Sequence, residues 1–247
     1  MIKKLILQLI NTLGFDIVKL ERNGSLPAIA YKHSMEGAIF RCAQRGIDIK
    51  TVIDIGASNG SWSAICMKHY PQAGYLLIEA QDGHKANLDR FISLHPNAQY
   101  ALAAAGAKKG NIYFQADGLL GGQASETPYE KNNITVPVTT VDDELKERKL
   151  AGPYLLKLDT HGYELPIFDG AKNCLAQANI VVVEVYNFQL TDTSLRFHEM
   201  IVYMDKLGFR PIEAVDLMLR KKDNAFWQMD LFFVKKDRPE FSSNDYE

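Results

Sequence analysis

The sequence predicts an α/β protein: a mainly parallel sheet with helices on both faces. Three observations carry that expectation. Strand-like and helix-like patterns alternate through most of the chain. Two strands, Thr51–Ile55 and Tyr154–Leu158, bring an acid and a glycine-bearing turn to the start of a helix. The 247 residues contain no linker rich in Pro, Gly or Ser, so they suit one large domain with a well-buried core.

The amino terminus resembles a signal peptide only at first sight. Lys3 and Lys4 precede an apolar run, but Gln8, Asn11 and Thr12 interrupt it and no small-residue cleavage site follows. The run is too short to span a bilayer. Ile2, Leu5, Ile6, Leu9, Ile10 and Leu13 share one helical face, which predicts a helix packed on the domain or on a second copy of the chain, as in a homodimer. Residues 1–50 are thus expected to be an N-terminal helical segment, 51–236 the main domain and 237–247 a polar, frayed tail.

The elements follow in order. Ser34–Arg45 reads as a helix ended by Gly46. Thr51–Ile55 is a strand and Ser61–His69 a helix stopped before Pro71; Tyr75–Ile78 is a strand and Gly83–Leu94 a helix ended by Pro96. Gln99–Ala104 is a third strand, and Asn111–Gln115 an extra one. The polar segment Asp117–Asn133, with Gly118, Gly121 and Gly122, is long for a structureless connection and reads as a lid or substrate loop. Ile134–Thr139 is a strand, Val141–Lys149 a helix, Tyr154–Leu158 a strand, Glu164–Ala176 a helix and Ile180–Val185 the most apolar strand. After a helix over Leu195–Leu207, the strands Phe209–Ala214 and Met229–Val234 lie too close for a crossover helix. They are expected to pair antiparallel as a long-looped hairpin.

Composition excludes several classes. A net charge of −2 gives no electrostatic case for nucleic acid or acidic lipid as partner. The three cysteines, Cys42, Cys66 and Cys174, are odd in number and widely spaced. They read as reduced, buried thiols of a cytoplasmic protein rather than a zinc site or a disulfide framework. Arg220, Lys221 and Lys222 form a short basic run that reads as a solvated turn.

Four segments carry chemistry. In Asp54-Ile55-Gly56-Ala57-Ser58-Asn59-Gly60, the glycines permit close approach of a ligand to the main chain. Their spacing lacks the Gly-x-Gly-x-x-Gly of a dinucleotide site, and the acid suits a cationic group. Both features favour S-adenosylmethionine, whose amino acid end carries an ammonium, over NAD(P) and an oxidoreductase. Glu79-Ala80 ends the next strand one βαβ unit later, where an acid accepts hydrogen bonds from ribose hydroxyls. Ala103 and Ala104, at the third strand end, line an expected adenine pocket.

The other two segments face the same sheet edge. Asp159-Thr160-His161-Gly162 repeats the grammar of the first turn, and His161 reads as a general base, since an unperturbed imidazole has a pKa near neutrality, with a helix-capping or loop residue as the alternative. Glu164 complements a helix amino terminus. Glu184 ends the most apolar strand, where an unpaired charge is costly. Asp159, His161 and Glu184 are the candidates for orienting an acceptor and taking its proton. Two carboxylates also allow a divalent metal with Asn187, an option ranked below the metal-free one. A non-catalytic module that binds the cofactor is the remaining alternative.

Taken together, these segments resemble the FkbM family of S-adenosylmethionine-dependent methyltransferases over residues 51–236. The most specific stretches are Val52-Ile53-Asp54-Ile55-Gly56-Ala57 and Lys157-Leu158-Asp159-Thr160-His161-Gly162-Tyr163-Glu164, closed by Gly170-Ala171. Val183-Glu184-Val185, Gly208-Phe209 and the stretch from Gln228 to Val234 are also similar, as is the lysine-bearing N-terminal helix. The resemblance implies a Rossmann-like class I fold with a mainly parallel seven-stranded sheet and one antiparallel strand near the carboxyl terminus. It also implies S-adenosylmethionine as methyl donor and methylation of a hydroxyl on a sugar, glycan or natural-product acceptor. The family commonly shows Glu-Pro where this chain has Glu79-Ala80, and Glu or Gln where His161 stands.

Overall fold

The computed structural model describes residues 28–116, 118–119 and 121–246. The helix expected over Ile2–Leu13 lies outside the described residues. Two short helices come first, α1 (Ala28–Lys32) and α2 (Met35–Gln44). The core then alternates β1 (Thr51–Ile55), α3 (Ser61–Met67), β2 (Gly74–Glu79), α4 (Lys85–Leu94) and β3 (Ala98–Leu102). A small second sheet is inserted next: β4 (Ala104–Ala105), β5 (Gly110–Gln115), β6 (Gln123–Ser125) and β7 (Asn133–Thr139). The chain continues through α5 (Val141–Glu147), β8 (Tyr154–Leu158), α6 (Glu164–Asp169), α7 (Lys172–Gln177), β9 (Ala178–Tyr186), α8 (Phe197–Lys206), β10 (Phe209–Leu219) and β11 (Phe226–Lys235).

Among the described residues the main sheet has seven strands in the order β10-β11-β9-β8-β1-β2-β3. The pairs β9–β8, β8–β1, β1–β2 and β2–β3 are parallel, whereas β11 runs against both β9 and β10. Every residue of β1 and β8 is buried, as expected for central parallel strands covered on both faces. Alternate residues feed two cores. Ile53, Leu76, Leu156 and Phe233 pack with α5, α6, α7 and α8, while Val52, Leu77, Leu155 and Phe232 pack with α2, α3 and α4. Helix α2 begins at Ser34, whose hydroxyl accepts from Gly37 N at 3.1 Å, and buries Ile39 and Cys42 on the sheet.

Several sequence expectations change. The helix expected over Glu164–Ala176 breaks into α6 and α7 at Gly170. A Cβ there would lie 2.0 Å from the Gly106 carbonyl oxygen, so the break lets two backbones touch. The third strand stops at Leu102, and Ala104–Ala105 turns away to pair with β7. The segment Asp117–Asn133 contributes β6 to the second sheet, beside β5. The last two strands are longer than expected, and their turn is short, closed by an Arg220–Asp223 ion pair. The tail packs through a turn at Pro239–Phe241: the Arg210 guanidinium lies 4.3 Å from the Phe241 ring centre, and Arg238 Nη2 donates to Arg45 O at 3.4 Å.

Candidate active site

The carboxyl ends of β1, β2, β8 and β9 form one edge of the main sheet, and the site is built there. The turn after β1 is held by backbone bonds from Gly56 N and Ala57 N to Ile78 O, at 3.0 and 3.2 Å. Gly56 has φ +72°, and a Cβ on it would lie 2.2 Å from Asp159 O. Ser58, also left-handed at φ +50°, directs its N–H to Glu79 Oε2 at 2.7 Å. Gln81 N donates to Glu79 Oε1 at 2.8 Å. Glu79 is therefore a buried carboxylate fixed by two backbone donors, with one further lone pair on each oxygen.

The turn and Glu79 border an open crevice. Its inner part, about 60 Å³, is apolar and is lined by Ile78, Ala80, Ala103, Ala104, Phe114 and Tyr163, among others. Its outer part, about 360 Å³, is more polar than the inner one and is bounded by Ser58, Gln81, His161, Glu184, Tyr186 and Gln228, among others. Gly56, Glu79 and Asp159 line both parts. A neighbouring cavity of about 310 Å³ shares His161 and Tyr186 and is walled by Leu190 and Trp227. The segment before β6 crosses the mouth: Gln81 Nε2 donates to Gly121 O at 3.1 Å, and His84 Nε2 to Leu119 O at 2.6 Å.

Asp54 does not reach this crevice, which corrects the expectation that it holds the cofactor's ammonium. It is 0 % exposed and accepts from Ser63 Oγ at 2.7 Å. Its Oδ1 lies 3.1 Å from Lys157 Nζ. Lys157 is buried too and lies 3.2 Å from Asp159 Oδ2. Burial pulls the Lys157 pKa down, but Asp54 and Asp159 outweigh it and hold the ammonium above the usual lysine range. Ala57 is packed in the core, Asn59 is exposed with its Oδ1 accepting from Ser61 N at 3.1 Å, and Gly60 (φ +83°) lies against Phe91. These three shape the turn rather than line the crevice.

Asp159, His161 and Glu184 lie close together. His161 Nε2 lies 3.6 Å from Asp159 Oδ1 and 3.6 Å from Glu184 Oε2. His161 adopts φ +52° and is followed by Gly162 at φ +102°, so a left-handed pair swings the imidazole over the strand ends. Glu164 holds that bend through Gly162 N at 2.8 Å and Thr160 Oγ1 at 3.1 Å. Gln123 Nε2 donates to His161 O at 3.0 Å. The Glu184 carboxylate accepts from Tyr186 Oη and Gln228 Nε2. Burial, with Asp159 nearby, pushes Glu184 up to about 7. Asp230, opposite Glu184 in register on β11, is pushed up to about 8 by burial and by Glu184.

The sequence profile of the methyltransferase FkbM domain matches residues 54–211, more than half of the chain and all of this strand-end edge. The chain belongs to the FkbM methyltransferase family. Solved structures to which the chain is similar include an FkbM methyltransferase from Methylobacillus flagellatus (14 % identity, 74 % of this chain and 43 % of that one, TM-score 0.48). Another is a protein described as an O-methyltransferase from Klebsiella pneumoniae (10 %, 94 % and 89 %, 0.47). A third is the O-methyltransferase NcsB1 of neocarzinostatin biosynthesis, solved with S-adenosylhomocysteine and 1,4-dihydroxy-2-naphthoic acid (11 %, 84 % and 52 %, 0.41). The present chain spans less than half the length of the M. flagellatus protein. No curated protein matches it significantly in sequence.

Sequence reasoning for this FkbM chain missed Gln81, Phe114, Tyr163, Tyr186 and Gln228 as lining residues. Gln228 and Asp230 had a usable signal: polar side chains alternating inside an otherwise apolar strand, Phe226–Lys235. Phe114 had none, because it reaches the crevice from the second sheet. Among the described residues no helix is long and apolar enough to cross a membrane.

Proposed function

We propose that this FkbM protein transfers a methyl group from S-adenosylmethionine to a hydroxyl oxygen of a small-molecule or saccharide acceptor. The observation that carries the reading is the graded crevice. An apolar slot, a fixed carboxylate and a polar basin follow one another along a single strand-end edge. That order matches a purine, a ribose and a charged amino acid end. Bound there, the cofactor supplies an activated methyl group on a sulfonium.

The chain's own residues bind and align. Ala80, Ala103 and Ala104 leave a flat slot between Ile78 and Tyr163, suited to the base. Glu79, already oriented by Ser58 N and Gln81 N, keeps lone pairs for the ribose hydroxyls. The Gly56 and Ser58 backbone borders the amino acid end, and Asp54 serves it indirectly by pinning Lys157 beneath the turn. Asp159, His161 and Glu184 orient the acceptor hydroxyl and deal with its proton. Positioning is the main contribution that such a site makes to a reaction with a preactivated donor.

Isothermal titration with S-adenosylmethionine, S-adenosylhomocysteine and NAD tests the first step. Micromolar binding of the two sulfur nucleosides is expected, and binding of NAD alone overturns the reading. A screen for labelled methyl transfer onto hydroxylated acceptors tests the second. Cofactor binding with no turnover on any acceptor, and no effect of Asp159→Asn on the chain's biological role, identifies a non-catalytic module instead.

A further inference from the structure

We propose that Asp159, His161 and Glu184 form a binding site for one divalent metal ion. One ligand atom from each residue lies within 4.8 Å of the other two. The two 3.6 Å separations from His161 Nε2 are too long for N–H···O hydrogen bonds, so no proton is shared across them. They fit the edges of a coordination shell better. Metal–ligand bonds of about 2.1 to 2.5 Å place neighbouring ligands about 3.0 to 3.5 Å apart, a few tenths of an ångström inside the spacing seen.

The histidine is already prepared as a ligand. His161 Nδ1 lies 3.2 Å from Gly122 O, and a carbonyl can only accept, so Nδ1 carries the hydrogen. In the neutral ring the lone pair is then on Nε2, the nitrogen that faces two carboxylate oxygens. An imidazole fixed by a backbone carbonyl on its far nitrogen is the usual support for a metal-bound histidine. The carboxylates are braced as well: Glu184 by Tyr186 Oη and Gln228 Nε2, Asp159 by Lys157 Nζ at 3.2 Å. Asp54 and Asp159 both lie against the Lys157 ammonium, at 3.1 and 3.2 Å, so this one cation is already shared between two carboxylates.

Chemistry narrows the ion. One imidazole and two carboxylates without a thiolate suit Mn²⁺, Fe²⁺ or Mg²⁺ rather than a thiophilic metal, and the three cysteines are buried elsewhere. Asp159 and His161 are 39 % and 31 % exposed in their side chains and open on the polar basin, so remaining coordination positions face the acceptor side. Here the inference rests on the proposed methyl transfer. A cation at this point would bind an acceptor hydroxyl and lower its pKa, its proton then passing to water in the open basin because the three side chains are committed to the ion, and it would favour acceptors with two adjacent oxygens, such as a vicinal diol or a catechol.

The test is titration of the chelator-treated, full-length protein with Mn²⁺, read by the electron paramagnetic resonance of free Mn²⁺ and by calorimetry. One Mn²⁺ per chain is expected, with affinity at least tenfold weaker in His161→Gln and in Glu184→Gln and unchanged in the surface variant Asp205→Asn. S-adenosylmethionine titration and circular dichroism, run on the same samples, report whether each variant is folded and retains its cofactor pocket. No binding at millimolar Mn²⁺ overturns the site, as does binding that folded variants leave intact. Mn²⁺ binding without S-adenosylmethionine binding strikes the methyltransferase reading and leaves the metal site standing.

Discussion

The turns after β1 and β8 share one sequence grammar, an apolar strand with an acid, a glycine and a helix, yet their acids do opposite things. Asp54 is 0 % exposed and faces inward, whereas the Asp159 side chain is 39 % exposed and lines the crevice. The pairing register explains the difference. Asp54 stands opposite Lys157, and Ile55 opposite Leu158. Asp54 is thus still inside its strand, with its side chain committed to one face of the sheet. Asp159 is the first residue beyond β8, opposite the place of Gly56, and is free of the ladder. A shift of two positions turns a crevice-facing acid into a structural one.

The largest expected effect breaks the inward half of this comparison. Lys157→Met leaves Asp54 buried with only Ser63 as partner, and removing one member of a buried pair costs about 3 to 5 kcal/mol. Asp159→Asn, at a partly solvated position, is expected to cost under about 1 kcal/mol. Urea denaturation of the two variants checks the contrast, and equal losses would place both acids in the same role. The double variant Asp54→Leu, Lys157→Met is expected to recover much of the single variant's loss, because no unpaired charge remains.

The glycines sharpen it next. A Cβ on Gly56 meets the Asp159 carbonyl at 2.2 Å, a backbone atom that cannot step aside. A Cβ on Gly162 meets the Thr191 Cγ2 at 3.1 Å, a side-chain atom that can. Both have positive φ, so both alanine variants carry strain of about 1 to 2 kcal/mol. Gly56→Ala adds overpacking of about 1 to 3 kcal/mol. Thermal unfolding should rank Gly56→Ala well below Gly162→Ala, and the reverse order would mean that β1 and β8 do not approach as described.

What could be read from sequence follows from locality. Thr51–Ile55 and Tyr154–Leu158 match the observed strands, because a run of buried, β-rich residues flanked by turn signals is a local pattern. Glu79, Asp159, His161 and Glu184 were legible as crevice residues, since a parallel sheet sends successive strand ends to one edge. The inward turn of Asp54 was not legible. It depends on Lys157, a residue of a strand far along the chain whose register no local pattern fixes. The break at Gly170 was hidden for the same reason: its cause is Gly106, in the loop after β4 and far away along the chain. Phe114 enters the site by tertiary packing alone.

Glu79 offers a functional counterpart to Asp54. Both acids lie at strand ends and are buried, but Glu79 accepts from backbone N–H groups and keeps its place on the crevice. Glu79→Gln removes the charge that strengthens bonds to ribose hydroxyls. A charge-assisted bond contributes about 1.5 to 3 kcal/mol, or roughly a ten- to hundred-fold loss of S-adenosylmethionine affinity. Asp54→Asn should act on cofactor affinity only through stability. Calorimetry on both variants at a temperature where each is folded separates the two. A larger loss of affinity in Asp54→Asn than in Glu79→Gln would reverse the assignment.

Per pH unit, the smallest effect is on the pH dependence of stability, and its sign is opposite to that of a salt-bridged acid. Burial and Asp159 raise Glu184 from 4.5 to about 7 in the folded chain. Between those values the folded state holds a proton that the unfolded state has released, so stability falls as pH rises through that window. Asp230, raised to about 8 by burial and by Glu184, extends the fall upward. The slope contributed by each group is at most about 1.4 kcal/mol per pH unit, and less when the two share protons. In chelator-treated protein, Glu184→Gln should flatten the curve between pH 5 and about 7, while Asp159→Asn should reduce it only through the lost neighbour. A flat curve over this range would mean that both acids are already ionised in the folded chain, and that the outward-facing half of the strand-end edge is far better solvated than its packing implies.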